Sequence, residues 1–351
     1  MITRRRFLEI TTTVTASAAC GIQNLAYPAD LQNNTDSAAM TTSTQQDGSL
    51  PMPQFTFNRF ILTARDGTSR LTEHTPLPIS RLETNLPELC VIPRKIFQRI
   101  EGFGGAFTES AAVTWQSLTP ELRKEVLEGY FGHDQGHGYT LCRVHMNSCD
   151  FSLGNYAHAN TAGDVLLQNF SIERDRQTLL PFIKQAQQVA GKPINLLVSP
   201  WSPPAWMKSN GEMNNGGQLL PQYRQAWAHY FVRFIEEYTK EGLHVWGVSV
   251  QNEPAARQTW ESCLYSAEEE RDFVRDFLGP ELNRAGLSHL RIIIWDHNRD
   301  LMVERASVVY SDPEAARYVW GTGFHWYGED HFEHVQPVSY THLTLPTKRI
   351  V

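Results

Sequence analysis

At the end of a valine-rich run, VWGVSVQNEP (residues 245–254), Gln251, Asn252, Glu253 and Pro254 follow one another. The run reads as a buried parallel strand, and the proline, lacking an N–H, forbids further ladder pairing. Such a strand end delivers a carboxylate, Glu253, beyond the sheet. Burial is expected to raise its pKa, because desolvation disfavours the charged form, and a carboxyl kept protonated suits a general acid. The plainer role for Glu253 is to cap a helix or pair with an arginine. Asn252 beside it, able to bond a sugar hydroxyl, and Pro254, which fixes the turn, favour chemistry. Hydrolysis of a glycosidic bond ordinarily takes two carboxyl groups, so a second has to be found.

Other reactive side chains stand at the ends of similar runs. In RVHMNSCDFS, Arg143 and Asp150 flank a strand. An arginine inside a buried strand is costly unless a carboxylate pairs with it, so Arg143 is expected to orient one. Asp150 can accept hydrogen bonds from sugar hydroxyls, or the two can simply pair with each other. SPWSPPAW places Trp201 at a strand end as a wall for a sugar ring, with Trp206 expected to pack. In GFHWYG, His325 and Tyr327 face the same way through the strand period of two, and Tyr327 is positioned to bond a second carboxylate. A metal-dependent hydrolase would want His-x-His after its first strand. The matching segment here, GAFTES, has no histidine, so neither metal nor cofactor is expected.

These residues need a scaffold that brings strand ends together. Strands are expected at residues 99–107, 139–146, 193–201, 243–251, 290–296 and 319–327, ending in or near Glu109, Asp150, Trp201, Glu253, Asp296 and His325. Helices lie between them. Thr119-Pro120 is a cap followed by proline at the first helical position, Ser266 and Glu269 make a capping box, and residues 223–240 carry a helical stripe of Trp227, Phe231, Phe234 and Ile235. Alternating strands and helices mean a parallel sheet. An open doubly wound sheet would want a GxGxxG loop, which Gly102-x-Gly104-Gly105 does not match. A (β/α)8 barrel gathers its reactive residues at the C-terminal strand ends, as here, although six strands are found where eight are needed.

Net charge is −7 without a basic run beyond the extreme N-terminus, which argues against nucleic acid. Nine tryptophans fit a carbohydrate cleft as well as a large core. Residues 1–28 carry TRRRFLE at Thr3–Glu9 and resemble a twin-arginine export signal, so the expected location is periplasm, cell envelope or extracellular space. Ala16-Ser17-Ala18 suits a signal peptidase; processing at Ser17-Ala18-Ala19-Cys20 would instead make Cys20 a lipid anchor. Residues 29–53 read as a disordered linker, 54–93 as a β segment containing FTFNRFILTA and PLPISRLET, and 94–336 as the catalytic domain. Cys90, Cys142, Cys149 and Cys263 show no metal spacing.

GFGGAFTES, RVHMNSCDFS, SPWSPPAWMK, VSVQNEP and GFHWYG, in that order, resemble glycoside hydrolase family 30, the glucosylceramidase family. SDPEAARYVWGTGFHWY strengthens the likeness to its glucosylceramidase branch. The resemblance implies a (β/α)8 barrel with a side β-sandwich built partly from the segment before it. It also implies retaining, metal-free hydrolysis of a β-glucoside, either a glycolipid such as glucosylceramide or a saccharide, with β-xylosidase and β-1,6-glucanase as alternatives. A rival of another class is a non-catalytic carbohydrate-binding remnant. By resemblance, Glu253 is the acid/base and Asn252 contacts the 2-hydroxyl. Arg143, Asp150 and Trp201 surround the sugar, and His325 and Tyr327 flank the nucleophile. Asn298 falls where the family has a polar residue on the fifth strand, and Cys149 and Cys263 where it carries free thiols.

The family's nucleophilic glutamate stands at the end of a seventh strand. Here QPVSYTHLTLPTKRIV follows Val335, with no Asp or Glu after Glu333. Residues 337–351 read as a non-native tail on a truncated barrel. Glu329, Asp330 and Glu333 come too early in the order to replace the missing group. No nucleophile is assigned, and the chain is expected to be inactive.

Overall fold

A computed structural model of the chain describes residues 60–75, 99–134, 136–335 and 337–338. The expected export signal, Cys20, the linker, the PLPISRLET run, Cys90 and nearly all of the tail lie outside them. The chain divides into two units, Met1–Ile96 and Phe97–Val351. In the first, β1 (Phe60–Leu62) pairs antiparallel with β2 (Thr72–His74). Within the FTFNRFILTA run, Phe60–Leu62 thus pair with Thr72–His74, a stretch too short and polar to stand out as a strand in the sequence. The turn between them is closed by Ala64 N–H donating to Ser69 O and Gly67 N–H to Ala64 O.

The second unit alternates strands and helices in chain order. β3 (Ala106–Phe107), α1 (Glu109–Ser117), α2 (Pro120–Phe131), β4 (Leu141–Met146), α3 (Glu173–Gln177) and α4 (Leu179–Ala190) come first. β5 (Asn195–Pro200), α5 (Arg224–Lys240), β6 (His244–Ser249), α6 (Ala267–Phe273) and α7 (Gly279–Arg284) follow. β7 (Arg291–His297), α8 (Met302–Tyr310), α9 (Pro313–Ala316) and β8 (Val319–Phe324) complete the series. The strands pair in chain order, β3-β4-β5-β6-β7-β8, every pair parallel. This is the strand order of a (β/α)8 barrel, with six strands among the described residues.

Local chemistry sets the helix ends. Thr119 Oγ1 accepts from Leu122 N–H at the start of α2, with Pro120 where a missing donor costs nothing. Ahead of α6, Ser266 Oγ accepts from Glu269 N–H at 3.1 Å and Glu269 Oε2 from Ser266 N–H at 2.8 Å. The stripe on α5 buries Trp227, Phe231, Phe234 and Ile235, joined by Tyr230 and Tyr238. Each large side chain of that kind contributes about 1.5–3 kcal/mol on burial, so this helix is held by packing against the sheet. The first strand is much shorter than its apolar run suggests. A side chain at Gly104 would lie 1.7 Å from the Leu141 carbonyl, so the glycines let residues 102–105 press against β4. Phe103 O there accepts from Thr140 and Leu141 N–H.

Candidate active site

The strand ends open onto a cleft of about 880 Å³. Arg143, Asp150, Trp201, Asn252, Glu253, His325 and Tyr327 all line it. The structure therefore brings together seven of the eight residues singled out above. Asn298 is the exception: it is not among the lining residues, and its backbone carbonyl accepts from Trp295 Nε1 at 2.7 Å.

The cleft floor is organised by a residue the sequence reading noted only as a strand end. Asp296 is 5% exposed and its two oxygens are fully engaged. Oδ2 accepts from Arg143 Nη2 at 2.5 Å, Ser249 Oγ at 2.6 Å and Ser199 Oγ at 3.4 Å, while Oδ1 accepts from His325 Nε2 at 3.0 Å. Burial alone would raise its pKa, but the Arg143 charge and the bonds from His325 and Ser249 hold it well below the usual carboxylate range. Arg143 thus does orient a carboxylate, and that carboxylate is Asp296 rather than Asp150. The signal available in sequence was Ser199 and Ser249, hydroxyls inside otherwise apolar strands. Without pairing in three dimensions nothing tied them to Asp296.

Arg143 also donates to Asn252 Oδ1 at 2.9 Å and lies over the Trp201 ring at 4.6 Å. With its oxygen occupied, Asn252 has its amide N–H groups left to offer a ligand. Glu253 occupies left-handed backbone, φ +51°, and its N–H donates to Asp296 O at 3.0 Å. Trp295 and Asp296 are left-handed too, at φ +69° and +47°. Such conformations cost about 1–3 kcal/mol each for residues other than glycine and persist where surrounding structure enforces them.

His325 links the two carboxylates. Its Nε2 faces Asp296, and its Nδ1 lies 2.8 Å from Tyr327 Oη and 3.3 Å from Glu253 Oε1. Burial opposes a charge here, yet bonds to Asp296 and Glu253 push the imidazole up to about 9. The expectation of a raised Glu253 pKa is corrected by the same contact. Burial does push Glu253 up, but the bond and positive charge of His325 outweigh it, and the net shift is downward. Tyr327 bonds His325 rather than a second carboxylate.

Asp150 is exposed, and its pKa is raised by partial burial and by repulsion from Glu253 and Glu261. Its loop is fixed from below by Glu109, which accepts from Leu153 N–H at 2.8 Å and from Arg174 Nε at 2.6 Å. Trp206 packs edge-on against Tyr223 and donates to Ala159 O, as its packing role requires. Phe151, Trp260 and Trp326 add apolar rings to the cleft, and Trp326 is 82% exposed. Cys142, Cys149 and Cys263 are buried free thiols. Away from the cleft lining, His331, Glu333 and His334 bring potential metal-ligand atoms within 4.8 Å of one another.

Residues 100–351 match the family model described as glycosyl hydrolase family 30 TIM-barrel domain. The lysosomal acid glucosylceramidase of Mus musculus is 40% identical over 282 residues, covering 78% of this chain and 54% of that protein. Among solved structures, SrfJ from Salmonella typhimurium aligns with TM-score 0.73 at 40% identity, covering 80% of this chain and 62% of that one. The endo-β1,6-glucanase BT3312 aligns with TM-score 0.71 at 28% identity, covering 82% and 63%. The chain spans about half the length of the curated relatives it matches. With its parallel strand order and the cleft at its strand ends, the chain belongs to the glycosyl hydrolase family 30 TIM-barrel domains.

Proposed function

We propose that this site serves a retaining β-glycosidase acting on a β-glucoside, with Glu253 as the acid/base. The observation that carries this is the placement of Glu253: a strand-end carboxyl held 3.3 Å from a charged imidazole, lining a cleft with Trp201 and Asn252. In such a mechanism Glu253 gives its proton to the leaving oxygen, and then removes one from the incoming water. Asn252, oriented by Arg143, offers its amide to the hydroxyl next to the reacting carbon. Asp150 takes hydroxyls further out, and Trp201 stacks on the ring. Glu253 has to be protonated to act, and its pKa here is lowered. The attacking carboxylate of a retaining site would bring a like charge close to it, which moves that pKa back up.

Asp296 does not supply that attacking group, since four donors already occupy its oxygens. We therefore place the nucleophile outside the described residues. The rings of Phe151, Trp260 and Trp326 on the cleft favour an aglycone with apolar surface, consistent with a glycolipid. The likeness to a protein named as an endo-β1,6-glucanase supports a saccharide aglycone as the second reading. The twin-arginine-like start supports action outside the cytoplasm.

The test is hydrolysis of 4-nitrophenyl β-glucoside by the 351-residue chain and by Glu253→Gln. No rate above that of the variant is expected, and a clear Glu253-dependent rate would show that a described carboxylate attacks. Calorimetry with a glucose-configured iminosugar tests the pocket separately. Binding that is lost in Asp150→Ala and Asn252→Ala supports it, and absence of binding to the parent chain overturns the sugar assignment.

A further inference from the structure

One buried carboxylate takes no part in the cleft and lies directly behind it. Glu270, on α6, is 1% exposed. Its Oε1 accepts the backbone N–H of Trp295 at 2.8 Å. Oε2 has no hydrogen-bond partner, and Arg305 Nη2 stands 3.8 Å away. The contact reaches the end of β7, where the strand leaves regular geometry. Trp295 and Asp296 are consecutive left-handed residues, and the β7–β8 register shifts between Trp295 and His297. A side chain at Gly323 on β8 would meet the Asp296 Cα at 3.3 Å, so the kink is pressed against its neighbour.

We propose that Glu270 is a positioning residue for the cleft: by holding the Trp295 N–H it keeps the kink that turns the Asp296 carboxylate onto Arg143 and His325. The reasoning is geometric. Ile293 pairs with Ser249, whose hydroxyl bonds Asp296, so a strand that continued regularly from Ile293 would turn Trp295 toward the cleft floor and Asp296 away from it. Two left-handed residues in succession rotate the chain so that Trp295 stays in the core at 1% exposure while Asp296 points into the cleft floor. A peptide N–H displaced from the ladder and buried must find an acceptor, or the kink is not stable. Glu270 is that acceptor. The rest of the pocket is held through Asp296, including the His325 bridge to Glu253.

The contact needs an acceptor atom rather than a charge. Burial pushes the Glu270 carboxyl up to about 7, which agrees with a group tolerated in neutral form. The same-sized amide is thus expected to substitute, and an apolar chain of that size is not.

His325 reports on Asp296 without any turnover, and so independently of the proposed reaction. Its ring titration, followed by NMR in the 351-residue chain, senses Asp296, Glu253, Arg143, His297 and Tyr327. In Glu270→Met the His325 midpoint is expected to fall by about one unit or more as Asp296 swings away. In Glu270→Gln it is expected to stay close to the parent value, which controls for the lost charge. Should Glu270→Met not fold, Glu270→Asp keeps the charge, shortens the reach by one methylene and is expected to lower the midpoint in the same direction. An unchanged His325 midpoint in a folded Met or Asp variant overturns the proposal, even if stability falls. So does an equal drop in the Gln variant.

Discussion

Two clusters of buried polar groups lie at the C-terminal ends of the strands, and their histidines behave oppositely. Beneath the loop after β4, His145 Nε2 accepts from Glu109 N–H and His158 Nε2 from Asn147 N–H. An imidazole nitrogen that accepts from a peptide N–H carries no proton, so both rings are neutral. Burial, the leading cause, lowers the pKa of each. Asp175 is close to His158, at 3.5 Å, but its oxygens already take the hydroxyls of Tyr156 and Tyr238. In the cleft, both nitrogens of His325 face oxygen acceptors, two of them carboxylates, and the ring is driven to the charged state. The residue type is the same, but His145 and His158 are fully buried while His325 is half-buried at the cleft. What also differs is what faces each ring: a peptide N–H donates to one nitrogen of His145 and of His158, whereas carboxylates face both nitrogens of His325. The first cluster is saturated internally and braces a loop, and the second keeps Glu253 at the edge of open space.

Replacing the carboxylate at the centre of each cluster sharpens the contrast most. Asp296→Asn leaves Arg143 and His325 without their counter-charge and is expected to cost about 3 kcal/mol by urea unfolding. Asp175→Asn disturbs hydroxyl bonds to a centre whose histidine is neutral, and about 1–2 kcal/mol is expected. Equal losses would mean that the cleft cluster is not held by charge.

The second contrast is in pH. The folded pKa of His325, about 9, lies above its ordinary 6.5, so its stabilisation is complete below about 6.5 and is lost as pH rises through 9. The ceiling on that loss is about 3 kcal/mol, from 1.36 kcal/mol per unit. Asp296 has the opposite sign: its lowered pKa stabilises above its ordinary 3.8, and this is lost as pH falls. Unfolding midpoints should therefore drop between pH 6.5 and 9.5, and His325→Gln should flatten that limb. By NMR, His145 and His158 should remain neutral well below pH 6; a titration of either near neutrality would erase the distinction between the clusters.

The smallest effect separates two tryptophans from one proline-rich segment. Trp201→Ala removes the ring under Arg143 and on the cleft, and iminosugar affinity is expected to fall about fivefold, near 1 kcal/mol. Trp206→Ala is expected to lower thermal stability and leave that affinity unchanged. The reverse pattern in calorimetry would reassign the wall of the cleft.

Much of this was legible in the chain. Parallel strands, the caps at Thr119 and Ser266, the α5 stripe and the strand-end residues each depend on neighbours within a few positions, and a local pattern can carry them. The order of β3 to β8 follows from the same alternation, because a crossover helix places each strand beside the last. The protonation states were not legible. Glu253 looked like a carboxyl that burial would raise, and its neighbours in sequence gave no reason to doubt it. The group that lowers it, His325, is 72 residues away and reaches it at 3.3 Å. Asp296 was visible as a strand end but not as the hub of the floor, because Arg143, Ser199, Ser249 and His325 come from four different strands or their ends. Sequence alone determined which side chains reach the rim, since strand periodicity is local. Only the tertiary structure decided which of them share a proton or a charge, since Coulomb and hydrogen-bond energies depend on distances across strands that no spacing along the chain encodes.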